Sequence, residues 1–273
     1  MNCVAHAATS SESCCSKEFI LKRYRGNFAV PPISYGTVRD YCDSCDYLPG
    51  LSTAQNDLKD LQRPWTLKAA LGLTPPGGSL LEIGAGEPFV AALLSDLGYN
   101  VTVVDPYDGS GRGPTAFKHF VRKYPKVRIV KAELRDGLID LQPGNFDGIY
   151  SISVLEHITE PSLGAMFQAI KSFLRPGGWS FHAMDCVIEG TDAGYHRQQC
   201  FNIANYLDQL AGGEVVTHQN VEHIIQQAIQ DIDTFYLSAA GHNLWRGGLP
   251  YEKFPFRKVI SIQFLVRRPQ DHS

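Results

Sequence analysis

The sequence predicts a doubly wound α/β fold: a mostly parallel seven-stranded sheet with helices on both faces, an antiparallel edge hairpin and a small N-terminal cap. Three observations predict it. From Ser79 onward, short apolar runs alternate with amphipathic stretches, the pattern of strand–helix–strand units whose right-handed crossovers cover both faces of one sheet. A Gly-x-Gly turn, Gly84-Ala85-Gly86, follows the first apolar run directly, where an open α/β sheet receives its ligands. An acidic residue, Asp105, then closes the second run nineteen residues after Gly86.

Taken in order, residues 1–18 are small and polar. They lack the basic start and apolar core of a secretory signal, and read as a flexible leader. Residues 19–72, rich in Tyr, Pro, Gly and Asp, read as the cap. It ends in a helical stretch from about Leu58 to Leu71 that Pro64 breaks and Gly72 closes. Residues 73–273 form the main domain. Its strands are expected at Ser79–Ile83, Val101–Val104, Val127–Val130, Phe146–Ser153 and Trp179–Met184, with helices at Pro88–Leu97 and Thr115–Tyr124 between the early ones. Leu163, Met166, Phe167, Ile170, Phe173 and Leu174 fall at helical spacing before the fifth strand. Glu189–Cys200 reads as a long polar loop suited to a lid. Helices follow at Phe201–Leu210 and Val221–Ile229, and the runs Thr234–Ala239 and Lys258–Val266 form the edge hairpin.

Composition narrows the function. At 273 residues and 44% hydrophobic content the chain buries one sizeable core with a cap. Twenty-five basic against twenty-eight acidic residues leave a net charge of −3, so no broad footprint for nucleic acid or an anionic membrane is expected. Lys118, Arg122, Lys123, Lys126 and Arg128 read as a solvated helix face. No apolar run approaches the roughly 20 residues of a membrane span. Seven cysteines, an odd number in a chain of this length, point to a reducing, cytoplasmic compartment. Cys42 and Cys45 form a single C-x-x-C without a second pair at zinc spacing, and read as two ordinary thiols on a turn.

The chemistry gathers at the strand ends. Gly84 and Gly86 permit a tight turn and close ligand approach, and Pro88 suits the start of the next helix. A carboxylate at Asp105 can accept hydrogen bonds from both hydroxyls of a ribose. The third glycine of a dinucleotide fingerprint would fall on Phe89, and Glu87 would repel pyrophosphate at the helix start. A sulfonium nucleoside such as S-adenosylmethionine tolerates both.

These segments resemble class I S-adenosylmethionine-dependent methyltransferases of the small-molecule type. Leu81-Glu82-Ile83-Gly84-Ala85-Gly86 is similar to their first motif, and Val104-Asp105 to the end of their second strand. Ser151-Ile152-Ser153-Val154-Leu155-Glu156-His157 is similar to their fourth-strand segment, and Leu174-Arg175-Pro176-Gly177-Gly178-Trp179 to the turn into their fifth strand. The match covers roughly Leu67 to Val187. The resemblance implies that Glu82, Gly84, Ala85 and Gly86 line the methionine end of the cofactor, with Ser153 beside it. It implies that Asp105 and Pro106 hold the ribose, and that Ala132, Glu133 and Leu134 flank the adenine. The chain departs from the family at Ala132-Glu133, where Gly-Asp-Ala is frequent, and at Pro88, where a third glycine is common.

His157, in the loop after the fourth strand, is the candidate general base for a hydroxyl acceptor; the plainer reading is a residue that only shapes the loop. His182, Asp185, Tyr195, His196, Arg197, His242 and Trp245 are the candidate acceptor contacts, under a cap that covers the acceptor pocket. No metal is expected: His182, Asp185 and His242 carry suitable donors, but their spacing is not diagnostic. The expectation is O-methylation of a small polar molecule, a specialised metabolite or sugar-containing compound. The alternatives are N-methylation, a nucleotide-cofactor (NAD-type) oxidoreductase, and a non-catalytic adenosyl-binding partner protein.

Overall fold

Seven strands make one sheet: β1 (Ile33–Tyr35), β2 (Ser79–Ile83), β3 (Asn100–Asp105), β4 (Arg128–Lys131), β5 (Phe146–Ile152), β6 (Leu174–Glu189) and β7 (Lys258–Arg267). They were traced in a computed structural model that describes residues 16–52, 57–110 and 113–270. The spatial order is β1-β7-β6-β5-β2-β3-β4. β7 runs antiparallel to both of its neighbours and every other pairing is parallel, so six strands share one direction. The doubly wound arrangement expected from the sequence is present.

Alternation along the strands feeds two apolar layers. Leu81, Ile83, Val104, Ile149 and Met184 turn to one face, where they pack with α6 (Ser162–Phe173), α7 (Ala193–Ala211) and α8 (His218–Gln230). Leu80, Val101, Val103, Tyr150 and Phe181 turn to the other, against α1 (Lys17–Tyr24), α3 (Lys59–Leu73) and α4 (Phe89–Asp96). Two-residue periodicity in the strands and three-to-four-residue periodicity in the helices thus meet in layers on both sides of the sheet.

Four local readings are corrected. The edge neighbour of β7 is β1, from the cap segment, with Ile33 opposite Phe264 and Tyr35 opposite Ile262. Residues 234–239 instead make two isolated bridges, Thr37 to Thr234 and Tyr236 to Ile260. Ser238 then caps α9 (Ala239–Arg246) by accepting from the Gly241 N–H, so a helix begins where the hairpin strand was expected to end. The polar stretch 189–200 is mostly α7, because Cys200, Ile203, Ala204 and Leu207 form a buried stripe that anchors the helix and lets it extend back to Ala193. Pro64 does not break α3, which runs through it from Lys59 to Leu73. Cys42 and Cys45 lie on α2 (Val38–Tyr47), not a turn; a reciprocal Thr37–Asp40 capping box starts that helix.

Most of the expected leader, residues 1–15, lies outside the described residues; Lys17 and Glu18 belong to α1. The basic stretch is exposed, but only Lys118, Arg122 and Lys123 lie on a helix, α5 (Phe117–Lys123); Lys126 is in the following turn, where it pairs with Asp96, and Arg128 is on β4. No helix among the described residues is long and apolar enough to cross a membrane.

Candidate active site

The loops that leave β2 and β3 lock onto each other. Gly84 and Gly86 both adopt left-handed backbone, φ 63° and 58°, a conformation a side chain resists. A Cβ at Gly84 would lie 2.8 Å from Val154 Cγ2, so this glycine is demanded by the close approach of the loop after β5. Asp105, at the end of β3 and 7% exposed, accepts from the Gly86 N–H through Oδ2 (2.9 Å) and from the Tyr107 N–H through Oδ1 (2.8 Å). Each carboxylate oxygen keeps a second lone pair, so Asp105 fits a ribose diol while holding the turn in shape. Tyr107 O–H donates back to the Gly86 carbonyl (2.9 Å) and closes the brace. The Ala132 N–H donates to the Asp105 carbonyl, which brings the segment after β4 alongside. Pro106 and Ala85 are half-buried at the same strand ends and Glu133 is exposed, whereas Leu134 is buried in the core.

Glu82 is buried under this turn. It accepts from Tyr150 O–H (3.1 Å), and burial pushes its pKa up to about 7 against the opposing hydrogen bonds of Tyr150 and the Ala91 N–H. Glu87, rather than standing free at the helix start, accepts from Lys123 (2.5 Å) and Tyr124 O–H (2.6 Å).

A second group assembles at the carboxyl ends of β5 and β6. Ser153, in left-handed backbone at φ 50°, donates to Gln62 Oε1 (2.8 Å), and Gln62 Nε2 donates to Asp185 Oδ1 (2.8 Å). The Ser153–Asp185 separation of 3.4 Å adds little, since the one hydroxyl proton already serves Gln62. The Asp185 N–H donates to Glu156 Oε1 (2.8 Å). One donor atom each from Glu156, His157 and Asp185 lies within 4.8 Å of the other two. Burial raises the Asp185 pKa to about 6, opposed by the charge of Lys59. Burial, then the neighbouring Asp185, hold the Glu156 carboxyl well above the usual range. His157 is exposed overall, yet desolvation and the Lys59 charge lower its pKa, which favours the neutral imidazole. His196, on the first turn of α7, is likewise lowered by burial and bonds the Asp185 backbone.

The other candidates are distributed differently. His182 is fully buried within β6, its Nδ1 and Nε2 paired with Ser151 Oγ (2.8 Å) and Ser180 Oγ (2.7 Å). Burial takes its pKa down to about 3, so the ring is a neutral member of the sheet interior, away from the Asp185 group. His242 sits on α9, stacked on Phe254 at 5.4 Å. The trio His182, Asp185 and His242 is therefore not a cluster. Trp245 packs against the buried cluster that contains Leu58, Val187 and Phe235. Tyr195 is exposed, and Arg197 pairs with Glu222 at 3.6 Å.

Sequence reasoning missed Gln62, Lys59, Tyr107 and Tyr150, and read Glu156 only as part of a motif. Gln62 is 123 residues from Asp185 and carries no motif, so nothing in the sequence signals it. Tyr107, two residues after Asp105, was within reach of inspection.

A family model described as a methyltransferase domain matches residues 57–228. A ubiquinone biosynthesis O-methyltransferase of Xanthomonas campestris pv. campestris is 30% identical over 110 residues, 39% of this chain and 42% of that protein. A relative with the same description from Bordetella bronchiseptica is 26% identical over 124 residues, 45% of this chain and 48% of its own length. The chain thus spans less than half the length of these curated relatives. Among solved structures, geranyl diphosphate C-methyltransferase from Streptomyces coelicolor is similar at 15% identity and a TM-score of 0.45, covering 92% of this chain and 97% of that one.

Proposed function

We propose a reaction for a chain that belongs to the methyltransferase-domain family, the class I enzymes whose methyl donor is S-adenosylmethionine: it transfers a methyl group to a hydroxyl oxygen of a small polar molecule. One observation carries the reading. Two buried carboxyls and a neutral imidazole, Glu156, Asp185 and His157, converge at the strand ends, one loop away from the Gly84–Gly86 turn.

S-Adenosylmethionine supplies a methyl group already activated by a positive sulfur. Gly84, Ala85, Gly86, Asp105, Pro106, Ala132, Glu133 and Ser153 would hold it, with Asp105 on the ribose; Glu82 acts from beneath by fixing the turn, and Leu134 by packing. What remains for the chain is to orient the acceptor oxygen and relieve it of its proton, and positioning can supply much of the acceleration. Asp185, held through Gln62 to Ser153, is braced on the same loop that touches Gly84. His157, its neutral form favoured by desolvation, offers a lone pair that can accept a proton. Tyr195, His196 and Arg197 on α7 are the proposed outer contacts of the acceptor, with Trp245 behind them, and α3 of the cap segment roofs the site. A metabolite or sugar-containing acceptor suits these polar groups, and the reading includes a small-molecule partner, no nucleic acid and a cytoplasmic setting. The free thiols of Cys42, Cys45, Cys186 and Cys200 accord with that setting.

The test is calorimetric titration with S-adenosylhomocysteine, followed by transfer of a labelled methyl group into a panel of hydroxyl-bearing small molecules. His157→Ala should lower kcat by about 10²–10⁴ with little change in S-adenosylhomocysteine affinity. Methyl incorporation at nitrogen alone, or none in a protein that binds the cofactor analogue, would remove O-methylation.

A further inference from the structure

We propose that Glu156, His157 and Asp185 form a binding site for a divalent cation of the manganese or magnesium type. Three atoms mutually within 4.8 Å leave a point about 2.8 Å or less from each, and a few tenths of an ångström of side-chain movement reaches the ~2.0–2.4 Å of metal–oxygen and metal–nitrogen bonds. Two carboxylates with one imidazole form a hard, mixed oxygen–nitrogen set, which suits manganese well. Among the described residues no other cluster of histidine, cysteine or acidic donors is this close.

The hydrogen bonds around the trio engage one oxygen of each carboxyl and leave the other. Glu156 Oε1 is taken by the Asp185 N–H, whereas its Oε2 is buried and has no partner. Asp185 Oδ1 is taken by Gln62, which leaves Oδ2 for a ligand. Gln62 and Ser153 therefore act on the site as outer partners that aim Asp185, and the Asp185 backbone aims Glu156, the arrangement in which metal ligands are commonly held.

The charge of Lys59 acts on the two carboxyls without forming an ion pair with either. Glu156 is 1% exposed and Asp185 8%, and among the described residues neither lies within ion-pair distance of a lysine or arginine. A single shared proton is a poorer occupant. It would leave Glu156 Oε2, buried and without a partner, either a bare oxygen or a hydroxyl without an acceptor. A cation satisfies both carboxylates and the imidazole at once.

With three protein donors, the cation keeps further positions for oxygen ligands. Resting on the methyl-transfer reading, this selects an acceptor whose hydroxyl stands beside a second oxygen, such as a vicinal diol or a hydroxy-carbonyl group. The cation then lowers the pKa of that hydroxyl. On this assignment His157 would act through the metal instead of taking the proton itself: the hydroxyl would lose its proton to solvent water, and its oxygen would take the methyl carbon as the methyl–sulfur bond breaks, leaving S-adenosylhomocysteine.

The full-length protein, stripped with a chelator, should be titrated with Mn²⁺ alone and followed by loss of the free-ion paramagnetic resonance signal. One Mn²⁺ should bind per chain. His157→Ala, at an exposed position, should weaken binding at least 100-fold. Gln62→Ala should weaken it about 10–100-fold, the range for removing an outer partner of a ligand. S-Adenosylhomocysteine titration of each variant reports folding and tests the methyltransferase reading separately. A protein that binds S-adenosylhomocysteine but takes up no Mn²⁺ at millimolar concentration overturns the proposal and leaves that reading intact. So does Mn²⁺ binding of unchanged affinity in both variants. Loss of S-adenosylhomocysteine binding with normal Mn²⁺ uptake overturns the reading of the cofactor loop and supports the cation site.

Discussion

The part of the sheet built from β2, β3 and β4 uses residues 79–131, and each of its functional loops directly follows the strand that positions it: Gly84 after β2, Asp105 at the end of β3, Ala132 after β4. The part built from β5, β6, β7 and β1 draws on residues 33–35, 62, 153–157, 185 and 258–267. In the first part the ligand-facing atoms are backbone and one carboxylate, fixed by short-range turns. In the second they are side chains from three separate segments, around residues 62, 153–157 and 185, fixed by hydrogen bonds spanning up to 123 residues of sequence. The proposed cofactor side is therefore set by local sequence order, and the proposed acceptor side by tertiary packing.

Three substitutions sharpen or break that contrast. The largest effect is expected at Gly84→Val. The new Cβ meets Val154 at 2.8 Å in left-handed backbone, so conformational strain and overpacking together should cost about 2–5 kcal/mol of stability. S-Adenosylhomocysteine affinity should fall 100-fold or more, read by calorimetry on whatever fraction stays folded; unchanged affinity removes this turn from the cofactor site. His182→Ala comes next, at about 3 kcal/mol, because it opens a cavity and deprives Ser151 and Ser180 of their buried partner. Denaturant unfolding measures the loss, and the acceptor KM should stay level. A raised KM with full stability would return His182 to the substrate side.

The third effect concerns Glu82 and pH. Its folded pKa of about 7 lies above its ordinary value of 4.5. Between those values the unfolded chain releases the proton while the folded protein keeps it, so stability falls as pH rises through this window and levels off above it. The slope is at most about 1.4 kcal/mol per pH unit. Glu82→Gln, uncharged throughout, should flatten the melting temperature between pH 4.5 and 7. An unaltered slope assigns the pH dependence elsewhere.

The same contrast governs what could be read in advance. Strands β2 to β5 were legible within a residue or two, because buried strands in α/β units are written as short apolar runs. The Gly-x-Gly turn and Asp105 stood out because their order along the chain is itself the geometry. The edge of the sheet was not legible. Ile33–Tyr35 is only three residues long, and its pairing with β7 depends on segments some 230 residues apart. At the acceptor side the sequence offered histidines by type, and type alone could not separate His182, closed in by two serines, from His157 beside the buried carboxyls. Gln62 shows the remaining gap: an amide acquires its role only when tertiary folding sets it between Ser153 and Asp185.

The placement of β7 between β6 and β1 has a consequence for synthesis. The cap strand leaves the ribosome more than 220 residues before the edge it joins. Through that interval β1 has no partner in β7, while β2, β3 and β4 can already pair with one another. Contacts of such long sequence separation close slowly. The unpaired outer edge of β6, until β7 covers it, is a surface that other nascent chains can extend. Aggregation during expression should accordingly respond to changes in β7 more than to equal changes in β4, at the opposite margin of the sheet.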